Sequence, residues 1–130
     1  MDQGKIDQAQ LQFERVLGLN KKYPKANFFI GRLMILKGNY SEAEKFAEIE
    51  KKMYPQLIDP YLLIAEIKYI SKNYSECAAE YARATNFDNQ PAAVYVKAAK
   101  CYRLSGQLDM AQGFIDIASE KESGFEEIYK

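Results

Sequence analysis

One string recurs along this chain at a fixed step. Gly4-Lys5-Ile6-Asp7-Gln8-Ala9, Gly38-Asn39-Tyr40-Ser41-Glu42-Ala43, Lys72-Asn73-Tyr74-Ser75-Glu76-Cys77 and Gly106-Gln107-Leu108-Asp109-Met110-Ala111 follow one another at 34 residues without insertion. A period of this size marks a repeat architecture, in which each unit buries its apolar face against the next. Each period holds two apolar runs with helical spacing, as in Ile64, Ile67, Ile70 and then Cys77, Tyr81, Ala84. The boundaries have local causes. Asn39 and Asn73 stand three residues before Glu42 and Glu76, the pattern of an N-cap with a reciprocal glutamate. Gly38 and Gly106 fall where a helix must turn left-handed to stop. Asp59-Pro60 reads as an N-cap followed by a first-turn proline, and Pro24 and Pro91 punctuate the other turns. Helices are expected near 4–19, 24–37, 40–53, 58–71, 74–87, 92–105 and 108–121.

Composition removes several function classes. The 130 residues suit one domain. Eighteen basic residues balance eighteen acidic ones, so the basic excess that grips phosphate backbones or anionic bilayers is missing. Histidine is absent, which excludes imidazole bases, imidazole metal ligands and His-activated nucleophiles. No apolar run approaches the ~18 residues of a membrane span, and no leader pattern opens the chain. Cys77 and Cys101 are 24 apart, without a C-x-x-C partner. They are expected as two buried thiols, with a disulfide or a reactive thiol as the alternative. Glu126-Glu127 and Glu48 with Glu50 are expected on solvated faces or at an end. Glycine-rich phosphate loops and nucleophile-elbow strings are lacking, so neither catalysis, cofactor nor metal is expected.

The 34-residue pattern resembles the tetratricopeptide repeat over nearly the whole chain. Small residues stand where the family's paired helices approach, at Gly31, Ala65 and Ala99, and again at Ala9, Ala43, Cys77 and Ala111. The family's aromatic position holds Tyr61 and Tyr95, and its later alanine position holds Ala84 and Ala118. The first full repeat departs from this, with Asn27 for the aromatic and Glu50 for the alanine; Lys68 replaces another aromatic. The resemblance implies an all-α fold, a right-handed α-solenoid of antiparallel helix pairs. Residues 1–130 then form a single domain: the second helix of a partial repeat (4–19), full repeats 24–57, 58–91 and 92–125, and the start of another at 126–130. Met1 falls inside a first helix, and Tyr129 falls on the aromatic position of a following repeat. The chain therefore reads as a segment of a longer array, whose uncapped ends are expected to associate with other copies.

In this family the first helix of each repeat lines a concave groove. The ligand-facing positions are an apolar row of Phe28, Leu62 and Val96 and a charged row of Arg32, Glu66 and Lys100. Ile35, Tyr69 and Arg103, and Lys25, Asp59 and Ala93, are the other two ligand-facing rows. Apolar anchors beside mixed charges suit a peptide or amphipathic helix of a protein partner. Phe28, Leu62, Val96 and Tyr69 are the expected anchors, with Arg32, Glu66 and Lys100 orienting. The resemblance thus implies a non-catalytic interaction scaffold or adaptor. Its alternatives are a substrate-positioning arm of a larger enzyme and a small secretion-type chaperone. The carboxylate clamp of the chaperone-binding subset is not built, since its positions hold Phe28, Arg32, Leu63, Ala93 and Lys97. Nucleic-acid stacking is not favoured, because Tyr61, Tyr81, Tyr95, Tyr102, Tyr40 and Tyr74 occupy positions that pack helix on helix.

Overall fold

The computed structural model describes residues 3–21, 23 and 25–128, with side chains described as far as Glu122. Among the described residues there are seven helices and no strand: α1 Gln3–Leu19, α2 Ala26–Leu36, α3 Tyr40–Met53, α4 Asp59–Ile70, α5 Tyr74–Ala84, α6 Ala92–Leu104 and α7 Leu108–Ile128. This is an all-α helical-repeat fold. The readings of Pro24 and Tyr129, and the side chains of Glu126 and Glu127, lie outside the described residues.

The period is written into the backbone at the helix ends. Gly38, Lys72 and Gly106, one step apart, all have positive φ, at 80°, 62° and 86°. At each, the same pair of bonds closes the preceding helix. Asn39 N–H donates to Met34 C=O and Gly38 N–H to Ile35 C=O. Asn73 donates to Lys68 and Lys72 to Tyr69; Gln107 donates to Tyr102 and Gly106 to Arg103. This is the Schellman arrangement, which satisfies carbonyls left over at a helix end. The start signals fare differently. Asn39 and Asn73 occupy the N-cap positions of α3 and α5, but neither side chain makes a capping bond. Ile58 C=O already accepts from Tyr61 and Leu62, so Asp59 is the first helical residue rather than the cap. Its carboxylate instead meets Lys25 Nζ at 3.2 Å.

Two helix ends shift from expectation, and a third runs on. Lys25 is left-handed (φ 68°), so α2 begins at Ala26. Thr85 Oγ1 donates to Ala82 C=O at 2.6 Å where α5 ends, a local bond that competes with helix continuation. α7 continues past residue 121 to Ile128. None of the described helices is long and apolar enough to cross a membrane.

The chain divides into two compact units, Met1–Ile67 and Lys68–Lys130. In the first, Ile30 and Met34 of α2, Ala43 and Ala47 of α3, and Leu63, Ile64 and Ile67 of α4 form one buried cluster. Gly31 suits this close approach: a Cβ would lie 3.0 Å from Leu63 Cδ2 and 3.2 Å from the Ala43 carbonyl oxygen, tighter than ordinary contact. α1 is tied on by Lys37, whose Nζ reaches Asp7 at 2.7 Å and Gln10 at 3.0 Å. The Lys37 hydrogen bond, aided by its charge, holds the Asp7 carboxyl below its usual range. Glu50 corrects the sequence expectation: it is not solvated but fully buried (0% exposed). One carboxylate oxygen, Oε2, accepts the Lys25 backbone N–H at 3.2 Å, while Oε1 is buried with no hydrogen-bond partner among the described residues. Asn27 is buried as well. The first full repeat has thus traded the usual large aromatic and small alanine for a short amide and a long acid.

In the second unit, Cys77, Tyr81 and Ala84 of α5 are buried, as are Val94, Ala98, Cys101 and Tyr102 of α6. Phe114 of α7 stacks on Tyr102 with ring centroids 5.3 Å apart. Here too an expectation is corrected: Cys77 and Cys101 are not free thiols but a disulfide joining α5 to α6, with Cα atoms 5.9 Å apart. One period earlier the same two positions are Ala43 and Ile67, both in the apolar cluster. The bond therefore replaces a side-chain contact that the repeat already makes. Lys68 Nζ meets Glu76 at 2.8 Å across the α4–α5 turn, and its hydrogen bond and charge hold the Glu76 carboxyl below its usual range. Among the tyrosines, Tyr81 and Tyr102 are core residues, whereas Tyr40 stays exposed at the head of α3.

Candidate functional site

The expected groove residues fall in both units, and each part has its own geometry. In the first unit, Phe28 and Ile35 are half-buried and pack against the apolar cluster; Leu62 is half-buried too. They are partly structural rather than free anchors. Phe28 sits edge-on to Phe29 (5.3 Å between centroids), and Phe29 stacks on Phe13 of α1 at 5.2 Å. The charged row is largely internal. Arg32 meets Glu66 at 3.8 Å and lies 5.9 Å from the Phe28 ring centroid. Together with Lys25–Asp59, this couples α2 and the residue before it to α4 by two ion pairs. Such exposed pairs contribute at most about 1 kcal/mol, so a ligand could displace them.

The second unit presents its row differently. Val96 is 43% exposed, and Lys100 and Arg103 are exposed on the same face of α6. Lys100 Nζ lies 4.9 Å from the Tyr69 ring centroid, a cation–π contact, and Tyr69 is edge-on to Tyr74. Neither cation has a carboxylate partner among the described residues. Beside them opens a cleft of about 350 Å³. α6 supplies Val96, Ala99, Lys100 and Arg103 to it, and α7 supplies Leu108, Ala111, Gln112 and Ile115. Leu108 and Ile115 are 64% and 39% exposed.

The α7 side of this cleft was missed by sequence reasoning, which assigned the groove to first helices alone. Size gave no signal: the periodic equivalents of Ile115 are Phe13, Ala47 and Tyr81, so a large residue is common at that position. No group of three or more metal-ligating side chains gathers among the described residues.

This geometry can be set beside known proteins. The family model of the tetratricopeptide repeat matches residues 1–49. The match spans 49 of the 130 residues. The helical-repeat fold then continues through the remainder, as solved structures show. The APC/C hetero-tetramer Cut9-Hcn1 superposes with a TM-score of 0.77 at 14% identity, covering 91% of this chain and 22% of that one. MamA MSR-1 C2 superposes with a TM-score of 0.75 at 15% identity, covering 92% of this chain and 69% of that one. The chain thus spans less than a quarter of the length of the Cut9-Hcn1 chain it matches. No curated protein sequence matches it. Tetratricopeptide-repeat proteins bind protein partners, and the family is generally non-catalytic.

Proposed function

We propose that this tetratricopeptide-repeat chain is a non-catalytic scaffold that holds a peptide or helix of a partner protein along the first-helix face of its repeats. The observation that carries the reading is the open row on α6. Val96, Lys100 and Arg103 leave an apolar side chain and two cations exposed where the family binds ligands, neither cation having a carboxylate partner among the described residues. A few apolar anchors with orienting charges correspond to about micromolar affinity, on the order of 8 kcal/mol. Half-buried Phe28 and Leu62 contribute edges rather than whole side chains, so the first unit adds orientation through Arg32 and Glu66.

The test is a pull-down from native lysate with wild type and with Phe28→Glu, Leu62→Glu, Val96→Glu, the variant checked for helicity by circular dichroism. A protein captured by wild type and lost with the variant supports the scaffold reading and names the partner. Equal capture by both sinks it.

A further inference from the structure

We propose that the cleft between α6 and α7 seats an amphipathic partner helix carrying a carboxylate, held as α4 is held on α2 and α3. This rests on the scaffold reading and specifies the partner's chemistry. The argument is the chain's own register. Two periods, 68 residues, carry Phe28 to Val96, Gly31 to Ala99, Arg32 to Lys100, Ala43 to Ala111 and Ala47 to Ile115. In the first unit α4 covers that surface: Leu63, Ile64 and Ile67 enter the cluster holding Ala43 and Ala47, with Phe28 packed against it. Leu63 also reaches Gly31, and Glu66 pairs with Arg32. In the second unit the equivalent residues line an open cleft. Its charged members are Lys100 and Arg103, with no acidic residue among the lining groups.

The occupant's pattern follows from α4. Apolar residues are required at the places of Ile64 and Ile67, and a carboxylate at the place of Glu66 to meet Lys100. A further change is dictated by Ala99. Where Gly31 leaves room for a leucine, Ala99 brings a Cβ, so the partner carries a small residue at the place of Leu63. Gln112, where α3 has Glu44, lowers the negative charge facing an acidic helix.

The probe is a lactam-stabilised peptide of residues 58–71 with Leu63→Ala, followed by fluorescence anisotropy against the whole chain. Binding is expected, at least tenfold weaker for the peptide with Glu66→Lys. The protein variant Lys100→Glu should reverse that preference. Ile115→Glu in the protein should weaken binding at least tenfold, and Leu108→Glu repeats the test at a still more exposed position. Leu11→Glu, at an exposed apolar residue of α1 outside the groove, should leave peptide binding unchanged, which separates this cleft from nonspecific capture on apolar surface. No binding at millimolar peptide, or binding indifferent to Ile115→Glu and to the charge swap, overturns the proposal. A concentration-dependent dimer dissolved by Ile115→Glu overturns it in favour of a second copy as the occupant. If lysate capture depends on the groove row while the peptide fails, the cleft proposal falls and the scaffold reading stands.

Discussion

The two units share a period but fill it with different chemistry. In the first, Ala43 and Ile67 join an apolar cluster; one step on, the same positions are the Cys77–Cys101 disulfide. The first full repeat buries Asn27 and Glu50 where the third has Tyr95 and Ala118. The difference teaches that the 34-residue step is fixed by a few backbone events and close helix approaches, while the material between them is exchangeable. Junction chemistry is therefore the place to perturb.

The largest effect belongs to the disulfide. Removing it, by reduction or by Cys77→Ala with Cys101→Ala, should lower the second unit's stability by about 3 kcal/mol. Native-state hydrogen exchange should show α5 and α6 losing protection while α2 and α3 keep theirs. Thiol titration of the unfolded, unreduced chain should find no free sulfhydryl; two would restore the pair of buried thiols.

Next comes the exchanged pair in the first unit. Glu50→Ala leaves the Lys25 N–H without its acceptor and opens a void, which should cost about 2 kcal/mol. Asn27→Tyr alone overpacks, by about 2 kcal/mol. Urea melts of the double variant should show a smaller loss than the sum, because the two changes restore the volumes used elsewhere in the chain. Strict additivity would mean that the two sites are independent.

A smaller effect separates the three helix-ending turns. Lys72→Gly should stabilise by about 1 kcal/mol, since Lys72 alone of the three carries a Cβ in the left-handed region. Gly38→Ala and Gly106→Ala should lose about 1 kcal/mol through φ alone, because open space surrounds both glycines. Equal melting curves for all three would remove the turn from the list of period-setting devices.

The smallest effect is electrostatic. The Lys68 hydrogen bond and charge lower the Glu76 carboxyl below its ordinary 4.5. A lowered carboxyl contributes stability above its unfolded value and loses it as pH falls through the folded one, so the effect lies on the acid side of 4.5. Asp7, held down by Lys37, behaves alike below 3.8. A carbon-detected titration should place the Glu76 midpoint under 4.5 and return it toward that value in Lys68→Met.

The fold was legible because its signals are local and repeated. Gly38, Gly106 and the spacing of Ile64, Ile67 and Cys77 specify helix ends and buried faces within a few residues. Asn39 and Asn73 stand at the N-cap positions as read, but their side-chain capping bonds are not made, because such bonds depend on rotamers that the sequence does not state. Glu50 looked like a surface acid because helical spacing alone does not register the Lys25 amide, 25 residues away, that draws it inward. The groove row was readable as positions, yet the degree to which Phe28, Ile35 and Leu62 are buried depends on neighbouring helices. The α7 wall of the cleft carried no sequence signal, since Ile115 shares its repeat position with Phe13, Ala47 and Tyr81 and large residues are common there.

Lys100 and Arg103, without a carboxylate partner among the described residues, carry a kinetic consequence. The chain is neutral as a whole, so at long range it neither attracts nor repels. Two cations on one face nonetheless make a local field, felt within a Debye length of about 10 Å at 0.1 M salt and ~3 Å at 1 M. An acidic segment arriving near α6 would be steered only over its last ångströms, and its arrival rate would fall as salt rises while its departure, governed by Val96, Leu108 and Ile115, would barely change.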